Sequence, residues 1–190
     1  AVFVGERVVA VGVALLGAGS ATGAQPVPVS YHAWANTDLN AGSFAGTGFA
    51  DGAVTLASTG TANVTYTDAR HGDIGAVAGT WTSPVFATGF GFTELVASWN
   101  ADTPSGTWIQ AEMRGRTDKG AWTKWYVMGR WAYGDDTIFR TSVGGQGDAD
   151  GYVAIDTFFA KDHPLTQYQL KATLYRRTTV TAAPKLRRFG

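Results

Sequence analysis

Two segments of the chain alternate strictly between apolar and polar side chains. In Thr107–Arg114, Ile109, Ala111 and Met113 fall on one side, and Trp108, Gln110, Glu112 and Arg114 on the other. In Tyr168–Arg176, Tyr168, Leu170, Ala172 and Leu174 oppose Gln169, Lys171, Thr173 and Tyr175. A period of two marks a strand with one buried face. A third segment, Trp122–Trp131, sets Trp125, Val127 and Trp131 against Tyr126, Met128 and Arg130. Shorter runs of the same character cover Ser43–Phe49, Ala53–Ala57, Asn63–Thr67, Thr80–Phe86, Thr93–Trp99, Thr137–Val143 and Tyr152–Phe158.

Turn signals separate these runs. Asp51-Gly52 is a hairpin dipeptide, Asn100–Gly106 is a dense turn cluster, and Thr117–Ala121 carries Gly120. Pro84 interrupts Thr80–Phe86, which predicts an edge or a strand end there, because proline cannot donate to the ladder. No helical period runs beyond two turns. Short strands at regular spacing predict an all-β fold, a two-sheet antiparallel β-sandwich of jelly-roll-like type. Its core should hold Trp99, Phe92 or Leu95, Ile109, Met113 and Leu170.

Composition supports this picture. A chain of 190 residues fits one domain. Its 25 glycines and many threonines favour turns and strands over helices. The formal net charge is zero, so nothing in it attracts nucleic acid or an anionic membrane. The chain has no cysteine, which excludes disulfide stapling and every thiolate mechanism within it.

The N-terminus reads as an export signal. Glu6 and Arg7 precede the apolar run Val8–Leu16, which is too short to span a bilayer. Small residues follow: Ala21 and Gly23, or Thr22 and Ala24, fit the two recognition positions before cleavage. Cleavage is expected near Ala24–Gln25. This predicts a secretory signal at residues 1–24, a β-sandwich at 25–190, and a secreted, extracellular mature form without a membrane anchor.

Candidate chemistry is sparse. If the three alternating strands are neighbours, Trp108, Gln110, Glu112, Arg114, Tyr126, Arg130 and Tyr175 share one outward surface, with Lys171 among them. One reading is a solvated face held by cross-strand ion pairs. The other is a concave surface for an extended polysaccharide or peptide, since rings flanked by planar polar groups stack on sugars or clamp peptides. Asp148-Ala149-Asp150-Gly151 resembles the start of a calcium loop, with Asp156 as a further ligand, but it lacks the closing Glu. No other cofactor is expected, and a plain turn is the competing reading. His32, His71 and His163 show no metal spacing. Glu94 and Glu112 are the only carboxylates that suggest a glycosidase pair, and nothing sets their separation.

Several segments together resemble a known family. They are WTSPVF at Trp81–Phe86, FGFTELVASWNADTPSGTWIQAEMRGRT at Phe90–Thr117, KWYVMGRWA at Lys124–Ala132 and RTSVGGQGDADGYVAIDTF at Arg140–Phe158. LTQYQLKATLYRR at Leu165–Arg177 and PKLRRFG at Pro184–Gly190 continue the match. The chain resembles the N-terminal accessory region of secreted bacterial cysteine peptidase-like proteins of the bacteriocin-processing, papain-like type. The resemblance implies that the catalytic Cys and His lie in a separate downstream domain, so no catalytic residue is expected here. The expected role is a non-catalytic module that positions or recognises an extracellular polymer. A stand-alone carbohydrate-binding module and a structural spacer remain the alternatives.

Overall fold

A computed structural model describes residues 26–190. The export signal expected at residues 1–24 lies outside the described residues. Within them the chain order is β1 (Trp34–Ala35), a 3-10 turn (Asn36–Ala41), β2 (Ser43–Ala45), β3 (Thr47–Ala50), β4 (Ala53–Leu56), β5 (Ala62–Asp68) and β6 (Gly72–Thr82). There follow β7 (Phe86–Phe92), β8 (Glu94–Val96), β9 (Trp99–Asp102), β10 (Thr107–Thr117) and β11 (Tyr126–Trp131). The last four are β12 (Gly151–Ala154), β13 (Thr157–Ala160), β14 (Leu165–Arg177) and β15 (Lys185–Phe189).

The fold is all-β, and the pairs between these strands are antiparallel. The seven-stranded sheet runs β11-β10-β14-β6-β2, with β5 beside β6 and β7 beside β14. The five-stranded sheet runs β1-β15-β4-β3, with β9 also paired to β15. Where two sheets were expected there are three: β12, β13 and β8 make a separate small sheet. It packs against β11 through the Tyr126 and Phe158 rings, 4.8 Å apart.

The long alternating segments form the centre of the larger sheet. β10 and β14 stay in register from Thr107↔Arg176 to Arg116↔Gln167. Their apolar parity turns inward, and Ile109, Met113 and Leu170 are buried as expected, as is Phe92. They meet Trp34, Val54, Leu186 and Phe189 of the opposite sheet in one core. Trp99 and Leu95 are half-buried against that core. Removing such side chains from water contributes about 1.5–3 kcal/mol each. Trp81 of β6 sits at the centre, fully buried, and its indole N–H donates to the Leu39 carbonyl at 2.8 Å.

The run Thr80–Phe86 is the end of β6 and the start of β7, with Pro84 in the break between them, as expected of a proline. Other elements differ from the sequence reading. Ser43–Phe49 breaks at Gly46 into β2 and β3, and Tyr152–Phe158 contains the turn between β12 and β13. The first part of the turn cluster Asn100–Gly106 is strand β9, because β15 offers its edge there. Thr137–Val143 is a loop, joined to a strand ladder only through the isolated bridge Arg130↔Thr141 and otherwise held to strands by side-chain contacts. Finally, β6 begins at Gly72, eight residues before the predicted run. Its glycines dilute the strand pattern, yet one of them is required: a Cβ on Gly79 would lie 2.4 Å from the Gly46 carbonyl oxygen.

Candidate functional site

Cross-strand partners share a face. Across β10 and β14 the pairs are Trp108↔Tyr175, Gln110↔Thr173, Glu112↔Lys171 and Arg114↔Gln169. Across β10 and β11 they are Gln110↔Arg130 and Glu112↔Val127. Six of the seven predicted surface residues therefore do share the outward parity: Trp108, Gln110, Glu112, Arg114, Arg130 and Tyr175.

Tyr126 does not. The register shifts between Ala111, opposite Gly129, and Glu112, opposite Val127. Met128 is the extra residue of a β-bulge, which sends Tyr126 inward against Met113. Gly129 belongs to the same detail: a Cβ there would lie 2.8 Å from the Trp99 ring. Tyr126 is fully buried, and its hydroxyl donates to Asp148 Oδ1 at 2.5 Å.

Nor is the outward parity one exposed surface. Trp108 is 0 % exposed and Glu112 8 %. A second hydrophobic cluster covers this end of the sheet, built from Tyr66, Ile74, Ala76, Trp108, Ala132 and Ile138. The Trp108 ring is stacked on Tyr175 at 5.1 Å and meets Tyr66 edge-on at 5.0 Å. Asp68 holds the covering loop in place, with its carboxylate accepting the backbone N–H groups of Arg70, His71 and Phe139 at 2.9–3.0 Å. Burial raises the Asp68 pKa, but these three donors outweigh it and leave it below the usual carboxylate value. Burial is also the main cause that pushes Tyr175 up to about 12, followed by the charge on Glu112.

The other end of the face is half-open, and its groups are locked to one another. The Arg114 guanidinium lies 4.5 Å from the Trp122 ring and 4.6 Å from the Trp125 ring. Its Nε and Nη2 both donate to Gln169 Oε1, at 3.0 and 2.6 Å. Lys171 Nζ lies 4.5 Å from Trp125 and 3.1 Å from Glu112 Oε2. Arg130 Nε donates to Gln110 at 3.2 Å. These aromatic faces already hold the chain's own cations, an arrangement that favours order over free stacking surface.

The Asp148 loop is a capped turn. Asp148 Oδ1 accepts from the Tyr126 hydroxyl and from the N–H groups of Asp150 and Gly151, while Lys124 lies 3.2 Å from Oδ2. Burial raises the Asp148 pKa, but the Tyr126 hydroxyl, the Gly151 N–H and the other donors bring it down to about 2. Asp148, Asp150 and Asp156 are not gathered into one ligand set. Among the described residues no three His, Asp or Glu side chains are gathered as ligands. Glu112, the proposed glycosidase partner of Glu94, is tied to Lys171 and Thr173.

An open groove of about 520 Å³ lies where β9 and the end of β11 come together, lined by Ser98, Trp99, Asn100, Asp102 and Trp131. Trp131 is 37 % exposed and stands 5.3 Å from the Arg140 guanidinium. Asp135 fixes Arg140 in turn, accepting from its Nε at 2.9 Å. Asp102 accepts from Arg187 Nε at 2.7 Å. Trp99 and Trp131 are the two ends of a stretch that holds five of the seven tryptophans. That density marked the region in the sequence, but the strand pattern placed Trp99 in the core and gave Trp131 no role.

The family described as Peptidase C39 N-terminal domain matches residues 30–190. The chain belongs to this family. No curated protein and no solved structure matches it. The family resemblance and the all-β architecture expected from the sequence both hold, and membership extends over nearly all of the described residues.

Proposed function

We propose that this chain is the non-catalytic N-terminal module of a secreted C39-family peptidase, and that it recognises an extracellular polymer. The absence of any cysteine supports the first part, since the thiolate such a peptidase requires must come from elsewhere. The purified chain should therefore cleave no peptide, and cleavage by a contaminant-free preparation would overturn the non-catalytic reading.

The observation that carries the second part is the groove at Trp131. An exposed ring, held in one place by a fixed arginine and flanked by Asn100 and Asp102, is a preorganised platform for a sugar ring or an extended chain. Gln110, Arg114 and Arg130, the half-exposed members of the outer face, are the second set of contacts. A spacer is the competing role. The covered Trp108 and the cation-stacked Trp122 and Trp125 favour it, because they make the outer face a stability device.

Retention on insoluble polysaccharide and on peptidoglycan separates the two. Parent, Trp131→Ala and Arg114→Ala are compared, each with its melting temperature. Retention lost in Trp131→Ala while the melting temperature holds supports recognition at the groove. Loss in Arg114→Ala alone moves the site to the outer face. A parent retained on no polymer leaves the spacer role.

A further inference from the structure

The chain is neutral as a whole, but its charges are not evenly placed. The half-open end of the outer face carries Arg114 and Arg116 of β10 and Arg130 of β11, all half-buried. Arg130 stands opposite Gln110 in the ladder, so the three occupy positions 110, 114 and 116 along β10. At about 3.3 Å per residue this row is about 20 Å long.

These arginines have neutral partners. Arg114 donates to Gln169 Oε1, and Arg130 donates from Nε to Gln110 Oε1. Arg116 donates from Nε to the Gly120 carbonyl at 2.9 Å and from Nη1 to Gln167 Oε1 at 3.3 Å. Among the described residues none of the three forms an ion pair. Glu112, the carboxylate of this face, is committed to Lys171 at 3.1 Å. The turn beside Arg116 adds one charge of each sign, Asp118 and Lys119. The row therefore keeps the charge of its three arginines.

The cations are also fixed in place. Arg114 packs on both Trp122 and Trp125, Arg116 lies 5.8 Å from the Trp122 ring, and Arg130 lies 5.6 Å from the Tyr66 ring. A guanidinium held by a ring and an amide oxygen has already lost its side-chain freedom, so an anion that binds it does not bear that cost. Nη1 of Arg114, Nη2 of Arg116 and both terminal nitrogens of Arg130 are left over from the bonds above. Planar donors of this kind match a carboxylate.

We infer that this row binds an acidic polysaccharide, whose carboxylates meet the three arginines while its sugar rings pass over the half-exposed edges of Trp122 and Trp125. Charge complementarity selects the polymer, since a neutral glycan leaves the three guanidinium groups without a counter-charge. The tryptophans favour a chain of sugar rings over a phosphate polymer, which offers them no apolar face. The inference rests on the polymer-recognition reading and deepens it at the outer face. The two fail separately, because the arginine row and the Trp131 groove respond to different substitutions.

Affinity electrophoresis of the chain in native gels tests it, with polygalacturonate, dextran or polyphosphate in the gel. Polygalacturonate should retard the parent and dextran should not. Arg116→Gln and Arg130→Gln should each weaken binding about tenfold with the melting temperature held, since each loses a charged hydrogen bond. Lys185→Gln, the same loss of charge on the other sheet, should bind as the parent does. If either arginine variant melts early, Arg116→Lys decides in its place: it keeps the charge but not the fork, and it should bind more weakly than the parent. No retardation by polygalacturonate overturns the inference, as does equal retardation by dextran or polyphosphate. A loss in Lys185→Gln equal to that in the arginine variants overturns it as a mere effect of net charge. Arginine variants that bind as the parent does overturn it too, and retention lost only in Trp131→Ala then leaves recognition at the groove alone.

Discussion

Trp81 and Trp108 are both fully buried, on opposite faces of the same sheet, and they are buried in different ways. Trp81 lies between two sheets, and its indole N–H is bonded to the Leu39 carbonyl. Trp108 lies under one strand and a loop, among Tyr66, Tyr175 and Ile138, and its N–H has no partner; neither has the Tyr66 hydroxyl. The inner core was assembled by strands whose pattern demanded burial. The outer cluster was formed by a loop that folds back over residues whose pattern permits exposure. A polar atom buried without a partner carries a desolvation cost, so the outer cluster is the less optimised of the two.

The largest effect expected from this difference is at the inner site. Trp81→Ala should cost about 3–5 kcal/mol, measured by chemical denaturation, because the surrounding sheets cannot close the hole. A loss under about 1 kcal/mol would mean that the two sheets do not share a rigid core.

The comparison sharpens with a gentler pair. Trp81→Phe removes the shorter of two hydrogen bonds to the Leu39 carbonyl and leaves only the Gly42 N–H at 3.3 Å, whereas Trp108→Phe removes an unpaired donor. Trp81→Phe should therefore be the more damaging by about 0.5–1.5 kcal/mol. Equal losses would show that the Trp108 N–H is satisfied in solution.

Asp68→Asn attacks the loop rather than the ring. Its second oxygen, which accepts from Phe139, is replaced by a donor, and the loop should lose about 1–3 kcal/mol of local stability. Exchange of the Phe139 and Ile138 amides should accelerate while the centres of β10 and β14 hold. A change spread evenly over both clusters would mean that the outer cluster is not a separate unit.

A pH series probes the bulge that turned Tyr126 inward. The Asp148 carboxyl stands at about 2 in the folded chain, below its unfolded value of about 3.9. A depressed acid contributes stability that is present above the unfolded value and is lost as pH falls toward the folded one. Tyr126→Phe removes one donor to Asp148 and raises its folded pKa. The stability gap between parent and variant should therefore be widest above about pH 4 and narrow toward about pH 2. A gap constant across that window would show that the hydroxyl does not hold the carboxylate.

The smallest effect belongs to Trp131→Ala. A partly exposed ring outside both clusters, touching Arg140, should change stability by about 1 kcal/mol or less, so a loss of polymer retention with the fold intact reads recognition.

Legibility followed local pattern. Ile109, Ala111, Met113 and Leu170 could be assigned to the core because strict alternation leaves one reading. Pro84 marked a strand break for a reason that lies in its own ring. β15 was harder, since Lys185–Phe189 alternates weakly, and only its position between β9 and β1 makes it a strand. β6 was hidden behind small residues whose role is close approach to Gly46. The outer face was half legible. Its shared parity was correct for six residues, yet parity says which side of a sheet a residue occupies and nothing about what covers that side.

By itself the sequence determined the fold class, the inward-facing residues of the long strands and the family, because each is written in side-chain period or in contiguous motifs. The tertiary structure alone decided that Trp108 is covered, that a bulge at Met128 turns Tyr126 inward, that Asp148 is committed to a turn, and that Trp99 and Trp131 meet at a groove. Each of these depends on a contact between segments far apart in the chain, and alternation along one strand carries no information about which distant loop will close over it.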